Sequence, residues 1–301
     1  VFSVTQKQVA EMTITAESIK STIQSRLLEM VESRHELIKH AQFLSDLGIS
    51  VRDSRLYIGE CFEAVAENYL LNLCGKLSAQ HANGTPARVS LDSDLYKVIS
   101  SRSRREKFSE QFWSHTDGDL EADKTLMEAY MAEVKFDAIA NSINEQVGSL
   151  EEKGLNLLAG KIIDRLNLKC ERGYYEPYKK AGRVICQTWA VNHNDSFSKV
   201  NELVSLMNAF GVVERESGVS FGVAMDEYIS AIQNLSWSRE KIASRTVFGK
   251  GGHLEILCFK DKHEYRFSIQ AFDALIAFLM INGETEAADR VIEKTGLQEA
   301  A

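Results

Sequence analysis

Thr246-Val247-Phe248-Gly249-Lys250-Gly251-Gly252-His253-Leu254-Glu255-Ile256-Leu257-Cys258-Phe259-Lys260-Asp261-Lys262-His263-Glu264-Tyr265-Arg266-Phe267 is the stretch that separates an all-helical reading of this chain from an α+β one. Its β-branched and aromatic residues come in short runs, and each run ends in turn chemistry. Thr246 to Phe248 reads as a strand, Gly249 to Gly252 as a turn, and Leu254 to Phe259 as a second strand. Asp261-Lys262 then turns the chain into Tyr265 to Phe267. Glycines supply the left-handed backbone that hairpin turns need, so the pattern predicts an antiparallel ribbon.

Working outward, two helices are expected to close the chain, Gln270 to Ile281 and Glu284 to Thr295, separated by Asn282-Gly283. Upstream, Val184 to Val191 is a further β-rich run. It follows a polar aromatic loop punctuated by Gly173, Pro177 and Gly182. Phe197 to Phe210 reads as a helix stopped by Gly211. No element is assigned between Gly211 and Thr246.

The N-terminal half has helical periodicity. Thr15 is a plausible cap for a long helix whose apolar or long-stemmed positions recur at Ile19, Ile23, Leu27, Met30, Arg34, Leu37, Ala41 and Leu44. These alternating steps of three and four make a heptad-like seam, and Gly48 is a natural stop. Helical stretches follow at Leu56 to Leu77, Leu91 to Trp113, Leu120 to Met131 and Phe136 to Leu166. His81 to Arg88, with its Asn-Gly and Thr-Pro pairs, reads as an exposed boundary loop. The expected fold is therefore α+β and mainly helical: long N-terminal helices, then a C-terminal part with a small antiparallel ribbon or sheet and closing helices. The expected regions are 1–80, 89–168 and 169–301.

Composition agrees. Of 301 residues 44% are apolar and 26% charged, which is ordinary for a folded protein. Only two prolines occur, where average usage gives roughly fifteen, and that scarcity suits long helices. Gln6, Lys7, Gln8 and Glu11 interrupt any signal-peptide core, and no window approaches a membrane span. The net charge of −8 disfavours wholesale attraction to nucleic acid and suits docking on a basic, DNA-handling partner. Cys61, Cys74, Cys170, Cys186 and Cys258 form no CxxC pair and read as buried, reduced thiols of a cytoplasmic protein.

No phosphate-binding lysine loop, GxGxxG or HExxH occurs. The Gly249 to Gly252 turn is read as a hairpin, with anion capture by its bare N–H groups as the functional alternative. His253, Cys258 and His263 invite a metal reading, but on a strand positions 253 and 258 point to opposite faces, which opposes shared zinc coordination. Neither a metal nor a cofactor is expected. Glu133-Val134-Lys135 matches half of a metal-dependent nuclease site but lacks a strand context. Glu60, Glu63 and Glu67 read as a solvated acidic face paired with Arg52 and Arg55, with a docking surface for a basic partner as the functional alternative.

Two basic-aromatic clusters remain. Arg102, Arg104, Arg105 and Lys107 precede Phe108, Phe112 and Trp113; such a group grips phosphates and stacks bases, or is a solvated helix face over buried aromatics. Arg172, Tyr174, Tyr175, Tyr178, Lys179, Lys180 and Arg183 form the second, expected to contact a partner because tyrosine and arginine anchor interfaces.

Leu91-Asp92-Ser93-Asp94-Leu95-Tyr96, the run from Phe136 through Leu150-Glu151-Glu152-Lys153-Gly154-Leu155 to Gly182-Arg183-Val184-Ile185, and Phe248-Gly249-Lys250-Gly251-Gly252-His253-Leu254 share a pattern. In these stretches, about two-thirds of the chain, it resembles an uncharacterised bacterial and phage family, domain of unknown function 4942. The helix from Ile19 to Leu47 is similar to that family's opening. A tryptophan that the family carries near Leu95-Tyr96 is absent here. The resemblance implies a setting in phages, plasmids and integrated elements, and no activity.

The leading functional expectation is a phage or mobile-element accessory protein that binds a host complex, for instance by blocking an anti-phage nuclease. Such a protein would work in the host cytoplasm. It would self-associate through Ile19, Ile23, Leu27, Met30, Leu37 and Leu44. The alternatives are a DNA-binding accessory protein and a cryptic metal-dependent nuclease.

Overall fold

The computed structural model describes residues 14–49, 58–95, 119–169, 176–191, 196–238 and 242–297. The fold is α+β and mainly helical, and it divides into two compact units. One unit holds residues 1–83 and 88–150; the other holds 84–87 and 151–301. The division near Leu150 corrects the boundary expected at 168/169. The long helix read from Phe136 to Leu166 breaks at Ser149, and its second half belongs with the sheet.

The first unit contains α1 (Ala16–Asp46), α2 (Ile58–His81), α3 (Leu120–Glu133) and α4 (Phe136–Gly148). Thr15 caps α1 by accepting the Ser18 N–H. The helix stops where expected: Gly48 is left-handed at φ +76°, its N–H reaches the Ser45 carbonyl, and the Ile49 N–H reaches that of Leu44. That pair of bonds closes the last turn without strain because glycine has no Cβ.

Ile19, Ile23, Leu27 and Val31 of α1 are fully buried, and α1 packs on α2, α3 and α4. This corrects the expectation that the whole seam serves self-association: Ile19, Ile23 and Leu27 are consumed inside the unit. The buried line then steps off the seam to Val31, with Met30 half-buried, and returns to it at Arg34. With 31 residues α1 spans about 46 Å, whereas α3 and α4, with 14 and 13, each span about 20 Å. Past Arg34 the seam is less covered: Leu44 is half-buried and Leu37 is 55% exposed.

Arg34 is the last buried rung, and its guanidinium meets Asp123 of α3 at 2.6 Å. On α4, Asn144 pairs with the backbone N–H and carbonyl of Ile14, and Gln146 with those of Ser90. Two incoming chain segments are thereby tied to one helix.

The second unit contains α5 (Leu150–Leu166), β1 (Tyr178–Lys180), β2 (Arg183–Trp189), α6 (Ser196–Ser217), α7 (Gly222–Ser238), β3 (Val247–Phe248), β4 (Leu254–Cys258), β5 (Lys262–Ser268), α8 (Ile269–Ile281) and α9 (Thr285–Thr295). The ribbon and the closing helices stand where the sequence places them. The strands form one antiparallel sheet in the order β1-β2-β5-β4-β3.

Three expectations change. Gly211 lies inside α6, which runs on through the buried Val212 and Val213 to stop at Gly218, φ +73°. Helix α7 fills the stretch left unassigned. Residues 178–180, expected in a loop, form edge strand β1, joined to β2 by a two-residue turn with both Ala181 and Gly182 left-handed.

One sheet face carries Val184, Cys186, Leu254, Ile256, Tyr265 and Phe267 into the core. There Phe210 and Phe221 stack at 5.1 Å, with Phe267 edge-on to both and Phe272 beside it. Strand alternation sends Arg183, Ile185, Gln187 and Trp189 to the other face, with Glu255, Leu257, Lys262, Glu264 and Arg266.

Candidate functional site

The face opposite the core is organised by one buried carboxylate. Glu264 sits in the central strand, with a side chain 5% exposed. Arg266 reaches its Oε2 twice, from Nε at 3.0 Å and Nη2 at 2.7 Å. The Lys262 ammonium lies 3.2 Å from Oε1, which also accepts Gln187 Nε2 at 3.0 Å. Burial alone would raise this carboxyl, but the hydrogen bonds and charges of Arg266 and Lys262 outweigh it and hold the group below its ordinary value.

Tyr178 is built into this network. Its hydroxyl accepts Gln187 Nε2 at 3.0 Å and points at Glu264 Oε1, 3.5 Å away. Strand β1 pairs Tyr178 with Ile185, so reaching Gln187 lays the ring along β2. Arg183 is likewise internal: it donates to the carbonyls of Arg266 and Gly252 and lies 3.4 Å from Glu255. Both were expected to meet a partner; the structure makes them braces of the sheet.

Lys179 and Lys180 are exposed at the hairpin edge. At the far end of β2, Trp189 is 61% exposed. Sequence reasoning passed over this tryptophan, although alternation from Arg183 through Ile185 and Gln187 was enough to place it on the non-core face. Arg172, Tyr174 and Tyr175 lie outside the described residues, as do Arg102, Arg104, Arg105, Lys107 and Trp113.

The other candidates resolve differently. The glycine turn spends its N–H groups on carboxylates: Gly249 donates to Glu227 and Gly251 to Glu255, each at 2.7 Å. Capture of an anion by those two N–H groups is thereby corrected. Glu133 ends α3 and Lys135 immediately precedes α4, so the nuclease half-motif sits at a helix–helix junction. Glu60, Glu63 and Glu67 are half-buried rather than solvated, and Arg52 and Arg55 lie outside the described residues.

His253 bonds Ser268 through Nδ1 at 2.9 Å. Cys258 and His263 pair across β4 and β5 on the core face, and the Tyr228 hydroxyl holds His263 Nδ1 at 2.5 Å. Burial pushes the His263 imidazole down to about 4 and the Cys258 thiol up to about 12. Among the described residues no three histidine, cysteine, aspartate or glutamate side chains gather as a metal site requires. Cys61, Cys74, Cys186 and Cys258 are not in disulfide bonds. Among the described residues no helix is long and apolar enough to cross a membrane. Comparison with family models, curated proteins and solved structures returned no match.

Proposed function

We propose that this chain acts by binding a host protein complex, as an accessory protein of a phage or mobile element, and that a DNA-processing or defence nuclease is the target class. The genetic setting rests on the resemblance to domain of unknown function 4942. The mode of action rests above all on Trp189, a large aromatic side chain 61% exposed on the sheet face that also carries the hydrogen-bonded Gln187, Glu264 and Arg266. Tryptophan on a rigid platform is a characteristic interface anchor.

Trp189 and the Lys179–Lys180 edge lie at opposite ends of β2, about 20 Å apart at 3.3 Å per residue. Both therefore fit within one ordinary interface of ~800 Å² per partner. The test is affinity capture from host lysate followed by titration with the isolated partner. Trp189→Ala is expected to weaken that binding by about 2 kcal/mol or more with the melting temperature unchanged. Equal affinity of variant and parent would remove this face from the interface.

The exposed lysine pair favours DNA as the second reading. That reading predicts binding to duplex DNA that falls steeply with salt. Self-association is assigned to the outer end of α1, where Leu37, Phe43, Leu47 and Ile49 are all more than half exposed. Light scattering of the parent and of a Leu37→Ser, Phe43→Ser variant tests it, and a monomeric parent would end the idea.

A further inference from the structure

A groove of about 430 Å³ lies between the start of α7 and the turn joining β3 to β4. That volume falls within the range of small-ligand sites, about 300–1,000 Å³. Phe221, Ala224 and Leu254 are buried at its floor. Val223 on the helix lip is 63% exposed and Val247 on the strand lip 38% exposed. Two sizeable apolar side chains thus flank one cavity while both remain in water.

The walls are fixed before any ligand arrives. Gly249 is left-handed at φ +66°, and a Cβ there would run into Ala224 and lie 2.7 Å from the Leu254 carbonyl oxygen. Only glycine lets the hairpin sit this close to α7. The Gly249 N–H in turn holds one oxygen of Glu227 at the groove. Lys250, also lining it, makes no ion pair or hydrogen bond among the described residues. His253 is anchored through Nδ1 to Ser268.

Opposite charges over an apolar floor define the ligand. An anion alone would bring its charge beside Glu227, and a cation alone would bring its charge beside Lys250. A neutral apolar molecule would strip water from both ions and return nothing. We propose that the groove binds a compact zwitterion with an aliphatic body, its ammonium against Glu227, its carboxylate against Lys250 and His253, and its side chain between Val223 and Val247 over Phe221. A free aliphatic amino acid and a short aliphatic peptide share this chemistry. The proposal is independent of the partner-binding face.

The probes are L-leucine, the dipeptide Leu-Leu, isoamylamine and 4-methylpentanoate, titrated into the full chain by calorimetry and followed by thermal shift. Leucine or the dipeptide is expected to bind saturably, and the tighter of the two identifies the source. The two single-charge analogues are each expected to bind at least about tenfold more weakly. Lys250→Met and Glu227→Gln are each expected to lose about tenfold in affinity; the glutamine retains an acceptor for the Gly249 N–H. Should Glu227→Gln fail to fold, Lys250→Met, at an exposed side chain without partners among the described residues, still decides. No binding of either zwitterion up to ~10 mM, equal binding of a single-charge analogue, or unchanged affinity in folded Lys250→Met overturns the proposal.

Discussion

Two buried polar pairs, one in each unit, are held in opposite ways. In the helical unit, Arg34 and Asp123 meet as ions, with side chains 8% and 0% exposed. In the sheet unit, His263 lies against the Tyr228 hydroxyl within an aromatic core and is held neutral. A buried ion pair depends on both members, because the survivor of a deletion is a charge without compensation. A buried neutral pair depends instead on the proton inventory of the solvent. The first pair is therefore sensitive to composition, and the second to acidity.

The largest effect separating them is expected from Asp123→Ala, a loss of about 3–5 kcal/mol read by urea unfolding. Joint replacement by apolar residues, Arg34→Met with Asp123→Leu, is expected to recover most of it. A double variant as unstable as the single one would show that the contact does more than cancel charge.

Next comes the pH response. The folded value of His263, about 4, lies below the ordinary 6.5. The neutral ring therefore contributes stability above pH 6.5, and that contribution is lost as pH falls toward 4, at about 1.4 kcal/mol per pH unit. Glu264, held below its ordinary value, adds a further loss only at lower pH, as protons reach its carboxylate. In His263→Gln the slope between pH 6.5 and 4 should disappear. Were it to persist, another group would be titrating.

Smaller and opposite in sign is Gly211→Ala. Gly211 is helical, its φ is not left-handed, and a Cβ there meets nothing within 4 Å. Alanine should stabilise α6 by about 0.5–1 kcal/mol; destabilisation would mean that the helix needs the glycine. The smallest effect is expected from Lys179→Ala with Lys180→Ala, within about 0.5 kcal/mol of parent stability, since both are exposed at the hairpin edge.

The contrast between the units also marks what the sequence could convey. Ribbon and closing helices were legible because alternation and turn chemistry are local: Gly249, Gly251 and Gly283 all have the left-handed backbone that their turns require. Gly211 misled because an isolated glycine looks the same as a stop signal and as a tolerated helix interior. Helix α7 carried its signal in the buried pairs Ala224-Met225 and Tyr228-Ile229, followed by Ile232 and Leu235, which recur at three- and four-residue intervals. The seam of α1 was read correctly as apolar, but such a stripe does not say whether it meets its own chain or another copy. The Tyr178 network and the groove were not legible, since they arise only when residues far apart in sequence, such as Tyr178 and Glu264, or Val223 and Lys250, are brought together by the sheet.

One small feature has a bearing on biosynthesis. Residues 84–87 belong to the sheet unit although they interrupt the helical one. Thr85 is buried, and Gly154 of α5 leaves it room: any Cβ at Gly154 would collide with the Thr85 side chain. During translation Thr85 emerges well before α5 exists to receive it. At roughly 5–20 residues per second, that interval lasts several seconds. The helical unit in turn cannot close until α4 has been made. Neither unit is one uninterrupted segment, so a clean cut at any single peptide bond would deprive one of them of part of itself.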